Sequence, residues 1–190
     1  MNWQNNGHIQ DDGGHFVQFY HYDHGLLRGL EKFIGGGIKK GDSCLVIATK
    51  NHLSELEKKF IGGGIKLAAA KKSGQYVGLD AAKTLARLMG DGQPDEERFW
   101  ATVGSLVALS AGRGKPVRAF GEMVALLWKK GNLDGALRLE ELWNELAKKY
   151  RFTLFCAYPQ NHFDMEIHRP AIEKISRLHS RVSSPDPAGF

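Results

Sequence analysis

The run Cys44-Leu45-Val46-Ile47-Ala48 constrains this chain more than any other segment. A short, continuous apolar stretch with no polar alternation has to be covered on both faces, which is the signature of a strand inside a parallel sheet. Parallel neighbours need crossover connections, and the rest of the sequence supplies helices to make them. His15–Tyr20 (HFVQFY) reads as a first strand. Asp23 is placed to cap a helix whose Leu26, Leu27, Leu30, Phe33 and Ile34 share one face, with Gly35–Gly37 as its stop. After the Cys44 strand comes a helix with Leu53, Leu56, Phe60 and Ile61 inward, ended by Gly62–Gly64.

The alternation continues to the far end. Tyr76–Leu79 reads as a strand, Asp80 as the cap of a helix through Met89, and Pro94-Asp95-Glu96-Glu97 as the opening of another that buries Phe99, Val103, Leu106 and Val107. Gly112 and Gly114 release the chain into a strand at Val117. A short helix then runs to Trp128, Gly131-Asn132 breaks it, and an amphipathic helix carries Leu139, Leu142, Trp143, Leu146 and Tyr150 on one side. Phe152–Ala157 is a further strand and 167–178 a last helix. The expected fold is α/β: a mostly parallel central sheet flanked by helices, with right-handed crossovers.

A length of 190 residues, 42% of them hydrophobic, suits one domain with a full core. We read residues 1–14 as a flexible polar segment, 15–180 as a single domain and 181–190 as a disordered tail. No run approaches the roughly 18 uninterrupted apolar residues of a membrane helix, and 1–14 resembles neither an anchor nor a signal peptide, so a cytoplasmic location without membrane contact is expected. The net charge of +5 is dispersed in lysine pairs beside helix ends, where cations complement the helix dipole, and is not gathered into a nucleic-acid stripe. Direct nucleic-acid binding is therefore not expected. Cys44 and Cys156 fall within predicted strands and read as core thiols, with a ligand-facing or redox role left open for Cys156.

KFIGGGIK occurs twice, at Lys32–Lys39 and Lys59–Lys66, 27 residues apart. We read the copies as two helices ended in the same way. A phosphate loop would need its glycines after a strand and before a helix, where amides and the positive dipole end face the anion. Both triplets follow helices. The lead-in GGGIKKGDSCLVIAT is of the kind that precedes a P-loop in RecA-like ATPases, but the chain continues Thr49, Lys50, Asn51, His52 with no glycine. Lys50 and the helix start could hold an anion only weakly.

The strings HFVQFY with Asp23, GDSCLVIATKNH, GQYVGLDAAKTLARLM with Gly92 and Pro94-Asp95, VRAFGEMVALLW and FCAYP run in order from about His15 to His179. They resemble the sensory domain called MEDS, found in methanogen and methylotroph regulators, among them the dichloromethane-responsive repressor DcmR. The resemblance implies a three-layer RecA/KaiC-like fold with a degenerate P-loop. It also implies small-molecule sensing, of simple hydrocarbon derivatives by the proposal made for the family, ahead of a DNA-binding or kinase output. These residues carry no evident output domain. The expectation is that a signal passes in trans to a histidine kinase, anti-sigma factor or transcription regulator, or through self-association as a homo-oligomer.

Candidate ligand-binding residues collect where strands stop, since ligands of open α/β sheets bind at the carboxyl ends of strands. Tyr20, Thr49, His52 and Tyr158 are expected to form one ligand-facing set with Glu122, whose carboxylate follows a buried strand and needs a partner, either Arg118 or a ligand donor. Arg118 and Phe120 share a strand face. His15 is either a ligand contact or a strand cap, and Trp128 and Trp143 either line a pocket or pack in the core. His21, Asp23 and His24 lack a further ligand for a metal, and no metal or cofactor is expected. Three function classes result: a non-catalytic ligand sensor, a nucleotide-binding pseudo-ATPase, and an enzyme using Glu122 as general acid/base with His15 or His52 nearby. With no nucleophile elbow and no complete metal signature, the first is favoured and catalysis is not expected.

Overall fold

The computed structural model describes residues 13–160 and 168–183. Six parallel strands form one sheet in the order β3-β2-β6-β7-β1-β8: β1 (Gly14–Tyr20), β2 (Ser43–Ala48), β3 (Tyr76–Asp80), β6 (Val117–Gly121), β7 (Thr153–Pro159) and β8 (Arg181–Ser183). β4 (Met89–Gly90) and β5 (Gln93–Pro94) make a separate two-residue antiparallel pair, a hairpin too short for sequence periodicity to announce. Every residue of β2, β6 and β7 is buried, as a strand covered on both faces must be.

Helices cover the two faces and divide the core in two. On one side α1 (Asp23–Leu30), α2 (Gly36–Lys40), α3 (Lys50–Gly62) and α4 (Leu67–Lys72) close over Tyr20, Val46, Ala48, Phe120, Phe155 and Ala157. On the other, α5 (Ala81–Leu88), α6 (Glu96–Phe99), α7 (Ser105–Ala111), α8 (Met123–Lys129), α9 (Leu133–Lys149) and α10 (Arg169–Leu178) close over Val17, Phe19, Leu45, Ile47, Ala119, Cys156 and Tyr158. Strand parity decides the side, because successive residues point to opposite faces. Each fully buried large side chain contributes about 1.5–3 kcal/mol, and Leu26, Leu30, Ile34, Leu45, Ile47 and Leu56 are all of that kind.

The two copies of KFIGGGIK do different work, against expectation. The first triplet does not end its helix: α1 runs through a π-helical turn (Glu31–Gly35) into α2, and the stop is Gly41 at φ +89°. A Cβ on Gly37 would lie 2.6 Å from Arg118 Cδ and 3.1 Å from Cys44 Sγ, so the glycine is there to admit a side chain from the sheet. The second triplet does end a helix, with Gly62 the last residue of α3, Gly63 its cap and Gly64 at φ +79°. Asp23 is also not a side-chain cap. It is the first residue of α1, and its carboxylate reaches across to α3.

Asp80 caps as expected, accepting the Lys83 N–H at 3.0 Å, and within the expected helix opening Asp95 is the cap, accepting the Arg98 N–H at 2.9 Å. The two expected flexible ends are only partly described. Gly14 opens β1, and 181–183, placed in the tail by sequence, instead form the edge strand β8 paired with Phe16–Gln18; residues 1–12 and 184–190 lie outside the described residues. The last helix begins at Arg169, and Ile167 too lies outside the described residues. Among the described residues no helix is long and apolar enough to cross a membrane.

Candidate functional site

β2 and β6 are adjacent and parallel, so their carboxyl ends meet at one edge. There Thr49 is the single residue between β2 and α3, and Glu122 the single residue between β6 and α8. The Glu122 N–H extends the ladder by donating to the Ile47 carbonyl at 2.9 Å. Its carboxylate reaches back across the seam, where Oε2 accepts the Thr49 N–H at 2.7 Å and Oε1 accepts from His52 Nδ1 at 2.8 Å. Thr49 caps α3 by accepting the His52 N–H on its hydroxyl, 3.4 Å away, which fixes His52 in the first turn.

His52 therefore stands between two carboxylates. Its Nδ1 faces Glu122 and its Nε2 faces Asp23 Oδ2 at 3.3 Å. Burial by itself would lower the imidazole pKa, but the hydrogen bonds and charges of Glu122 and then Asp23 outweigh it, and the value rises above the ordinary 6.5. Tyr20, at the end of β1, has its hydroxyl pKa raised by burial first and by the Glu122 and Asp23 charges second, so it stays a neutral phenol.

The outward side of this group is a cleft of about 440 Å³ lined by Asp23, Leu27, Asn51, His52, Ser54, Glu55 and Lys58. Asp23 is 70% exposed and Glu122 1%, which separates their roles. Asp23 and the His52 edge face the cleft, while Glu122 sits on the inner side of the ring. The arrangement offers a carboxylate and an imidazole to a polar molecule and holds them on a rigid sheet edge.

Of the nine residues singled out from sequence, Tyr20, Thr49, His52 and Glu122 come together here. Arg118 does not join them. It lies at the opposite end of β6, where Nε donates to Asp42 at 2.8 Å and Nη1 to the Phe33 carbonyl at 3.0 Å, and the guanidinium sits over the Phe33 ring. Glu122 is partnered by Thr49 and His52 instead. Tyr158 does not join either, so the single ligand-facing set is overturned. β7 pairs with β1 so that Tyr158 is level with Phe19, and both side chains enter the core opposite the one that takes Tyr20. Trp128 packs edge-on to Tyr158 at 5.6 Å, and Trp143 edge-on to Phe99 at 5.4 Å; both indoles are buried core groups remote from the cleft.

His15 and Tyr158 belong to a second polar cluster, buried on that opposite face. Tyr158 donates to Glu140 Oε1 at 2.7 Å, and His15, Cys156 and His179 surround Oε2. Cys44, by contrast, is an inert core thiol, pushed up to about 12 by burial. Asp23, Glu140 and His179 were not singled out as ligand-site residues from sequence. For Glu140 there was a signal: a carboxylate on the buried stripe of an amphipathic helix, one position from Leu139 and three from Trp143. His179 follows α10 with no local pattern to mark it.

Comparison with known proteins adds one finding. A family model described as MEDS, the methanogen/methylotroph, DcmR sensory domain, matches residues 14–180. No curated protein matches the chain.

Proposed function

The chain belongs to the MEDS family of sensory domains, and from that membership we propose that it is a non-catalytic small-molecule sensor whose ligand sits in the cleft at the β2–β6 edge. The observation that carries this reading is the Glu122–His52–Asp23 chain, which starts on two buried strand ends and emerges in an open, polar cleft. Position supports it as well, since ligands of open parallel sheets bind beyond the carboxyl ends of strands.

The lining defines the chemistry. Asp23 and Glu55 are acceptors, His52, Asn51, Ser54 and Lys58 are donors, and Leu27 gives an apolar wall. A simple hydrocarbon derivative bearing a hydroxyl or amine fits that set. Of the two hydroxyls of the edge, Thr49 is engaged as the cap of α3 and Tyr20 stays a neutral phenol, which favours recognition over nucleophilic chemistry. Output then passes to a partner chain, a kinase or a transcription regulator, or through self-association.

Titration of the isotopically labelled chain with short alcohols and amines tests this by NMR. Shifts centred on Asp23, Asn51 and His52 are expected. Shifts centred elsewhere, or produced by ATP and ADP but by no small organic molecule, would replace this reading with the nucleotide-binding one.

A further inference from the structure

On the face of the sheet away from the cleft, four potential ligands converge from four elements: His15 from β1, Glu140 from α9, Cys156 from β7 and His179 from the end of α10. His15 Nε2, a Glu140 carboxylate oxygen, Cys156 Sγ and a His179 ring nitrogen all lie within 4.8 Å of one another. All four residues are buried, Glu140 and Cys156 completely. Among the described residues this is the one such group, and it is not the His21/Asp23/His24 set considered from sequence.

The separations around His15 Nε2 and Glu140 Oε2 suit a tetrahedral ion. His15 Nε2 is 3.2 Å from Cys156 Sγ and 3.2 Å from Glu140 Oε2; Glu140 Oε2 is 3.4 Å from the sulfur and 3.5 Å from His179 Nε2. Zinc bonds of about 2.0–2.3 Å at tetrahedral angles place donor atoms about 3.3–3.6 Å apart.

The tautomers point the same way. His179 Nδ1 lies 2.6 Å from the Ile175 carbonyl, which can only accept, so that nitrogen carries the proton. Asn144 gives its amide N–H to the Leu178 carbonyl at 3.0 Å, which turns Asn144 Oδ1 toward His15 Nδ1 at 2.9 Å, so that nitrogen is a donor as well. The His15 Nε2 lone pair is left facing Glu140 Oε2 and Cys156 Sγ, and the His179 Nε2 lone pair facing Glu140 Oε2. His179 Nε2 is buried and has no hydrogen-bond partner among the described residues. Donation of the second ring N–H to a carbonyl or amide oxygen is how metal-bound histidines are held, and the Tyr158 hydroxyl on Oε1 leaves Oε2 as the coordinating atom.

We propose that His15, Glu140, Cys156 and His179 form a buried metal site for a borderline divalent ion of the zinc class. The mixed nitrogen, sulfur and oxygen set suits zinc better than magnesium or calcium, which take oxygen alone. Four protein ligands with no open position make it a structural site, one that ties the end of α10 to the sheet through β1, β7 and α9. Binding deprotonates the Cys156 thiol and releases that proton to solvent.

The test uses the full chain, expressed without a histidine tag, stripped of metal and titrated with Co²⁺. The expected spectrum shows a thiolate-to-cobalt charge-transfer band and intense tetrahedral ligand-field bands that saturate at one equivalent and are abolished by Zn²⁺. Both are lost in Cys156→Ser and kept in Cys44→Ser. Absence of these bands in the unmutated chain, or a charge-transfer band that persists in Cys156→Ser, overturns the proposal. Should Cys156→Ser not fold, X-ray absorption on the zinc-loaded unmutated chain decides: one sulfur and three nitrogen or oxygen scatterers support the site, and any other first shell rejects it.

Discussion

Glu122 and His52, seventy residues apart, share a 2.8 Å hydrogen bond that fastens the first turn of α3 to the end of β6. The bond makes Glu122 a positioning residue. Its carboxylate is occupied by donors from Thr49 and His52, and what it presents to the cleft is an oriented imidazole.

Replacing Glu122 by alanine orphans the half-buried Thr49 N–H and the buried His52 Nδ1–H. An unsatisfied buried donor costs about 1–3 kcal/mol, so Glu122→Ala should lose at least that in urea unfolding. Glu122→Gln, which keeps one acceptor, should lose less. Equal stability of Glu122→Ala and the unmutated chain would show that water replaces both bonds.

Asp23 should behave in the opposite way. It is 70% exposed, and an exposed ion pair contributes about 0–1 kcal/mol. Asp23→Asn should leave the unfolding midpoint nearly unchanged and weaken ligand binding measured by calorimetry. A large loss of stability with intact binding would assign Asp23 to the scaffold.

The pH dependence of stability follows from His52. Its folded pKa is raised above the unfolded 6.5, so the folded state binds the proton more tightly. The stabilisation is complete below pH 6.5 and is lost as pH rises through the folded value. The stability difference between the unmutated chain and His52→Gln should therefore shrink steadily with rising pH above 6.5. An NMR titration of the His52 ring should give a midpoint on the alkaline side of 6.5.

Adjacent glycines of the first triplet should respond with opposite sign. Gly37→Ala drives a methyl into Arg118 and Cys44 and should cost about 1–3 kcal/mol by overpacking. Gly36→Ala meets nothing within 4 Å and should gain about 0.5–1 kcal/mol by stiffening a helix. Differential scanning calorimetry of the two variants checks the contrast.

Trp143→Ala removes a fully buried indole packed on Phe99 and should cost about 3–5 kcal/mol. Near-native melting would mean the indole borders open space.

What sequence could and could not show follows from the range of the signals. The continuous apolar run at Cys44–Ala48 announced a strand covered on both sides, and the cap at Asp80 and the string Pro94-Asp95-Glu96-Glu97 announced helix starts, because these are properties of neighbouring residues. The pairing of Glu122 with His52 was half legible, since both were placed at strand ends, while their register depends on which strands are adjacent. Tyr158 was assigned to the wrong face for the same reason: whether it stands with Tyr20 or Phe19 is set by the β1–β7 register, in which Tyr158 is level with Phe19. The first glycine triplet departed from expectation for a different cause. A local string cannot reveal that Arg118, from a strand far along the chain, needs the space at Gly37.

The central claim is that the β2–β6 edge recognises a small organic molecule through His52 and Asp23. Thermal-shift measurement of the unmutated chain and of His52→Gln, across one panel of short alcohols, amines, ATP and ADP, tests it most directly. A small organic compound that raises the melting temperature of the unmutated chain, with the rise abolished in His52→Gln, is the predicted result. Stabilisation by ATP or ADP alone, or by an organic compound whose effect survives intact in His52→Gln, would contradict it.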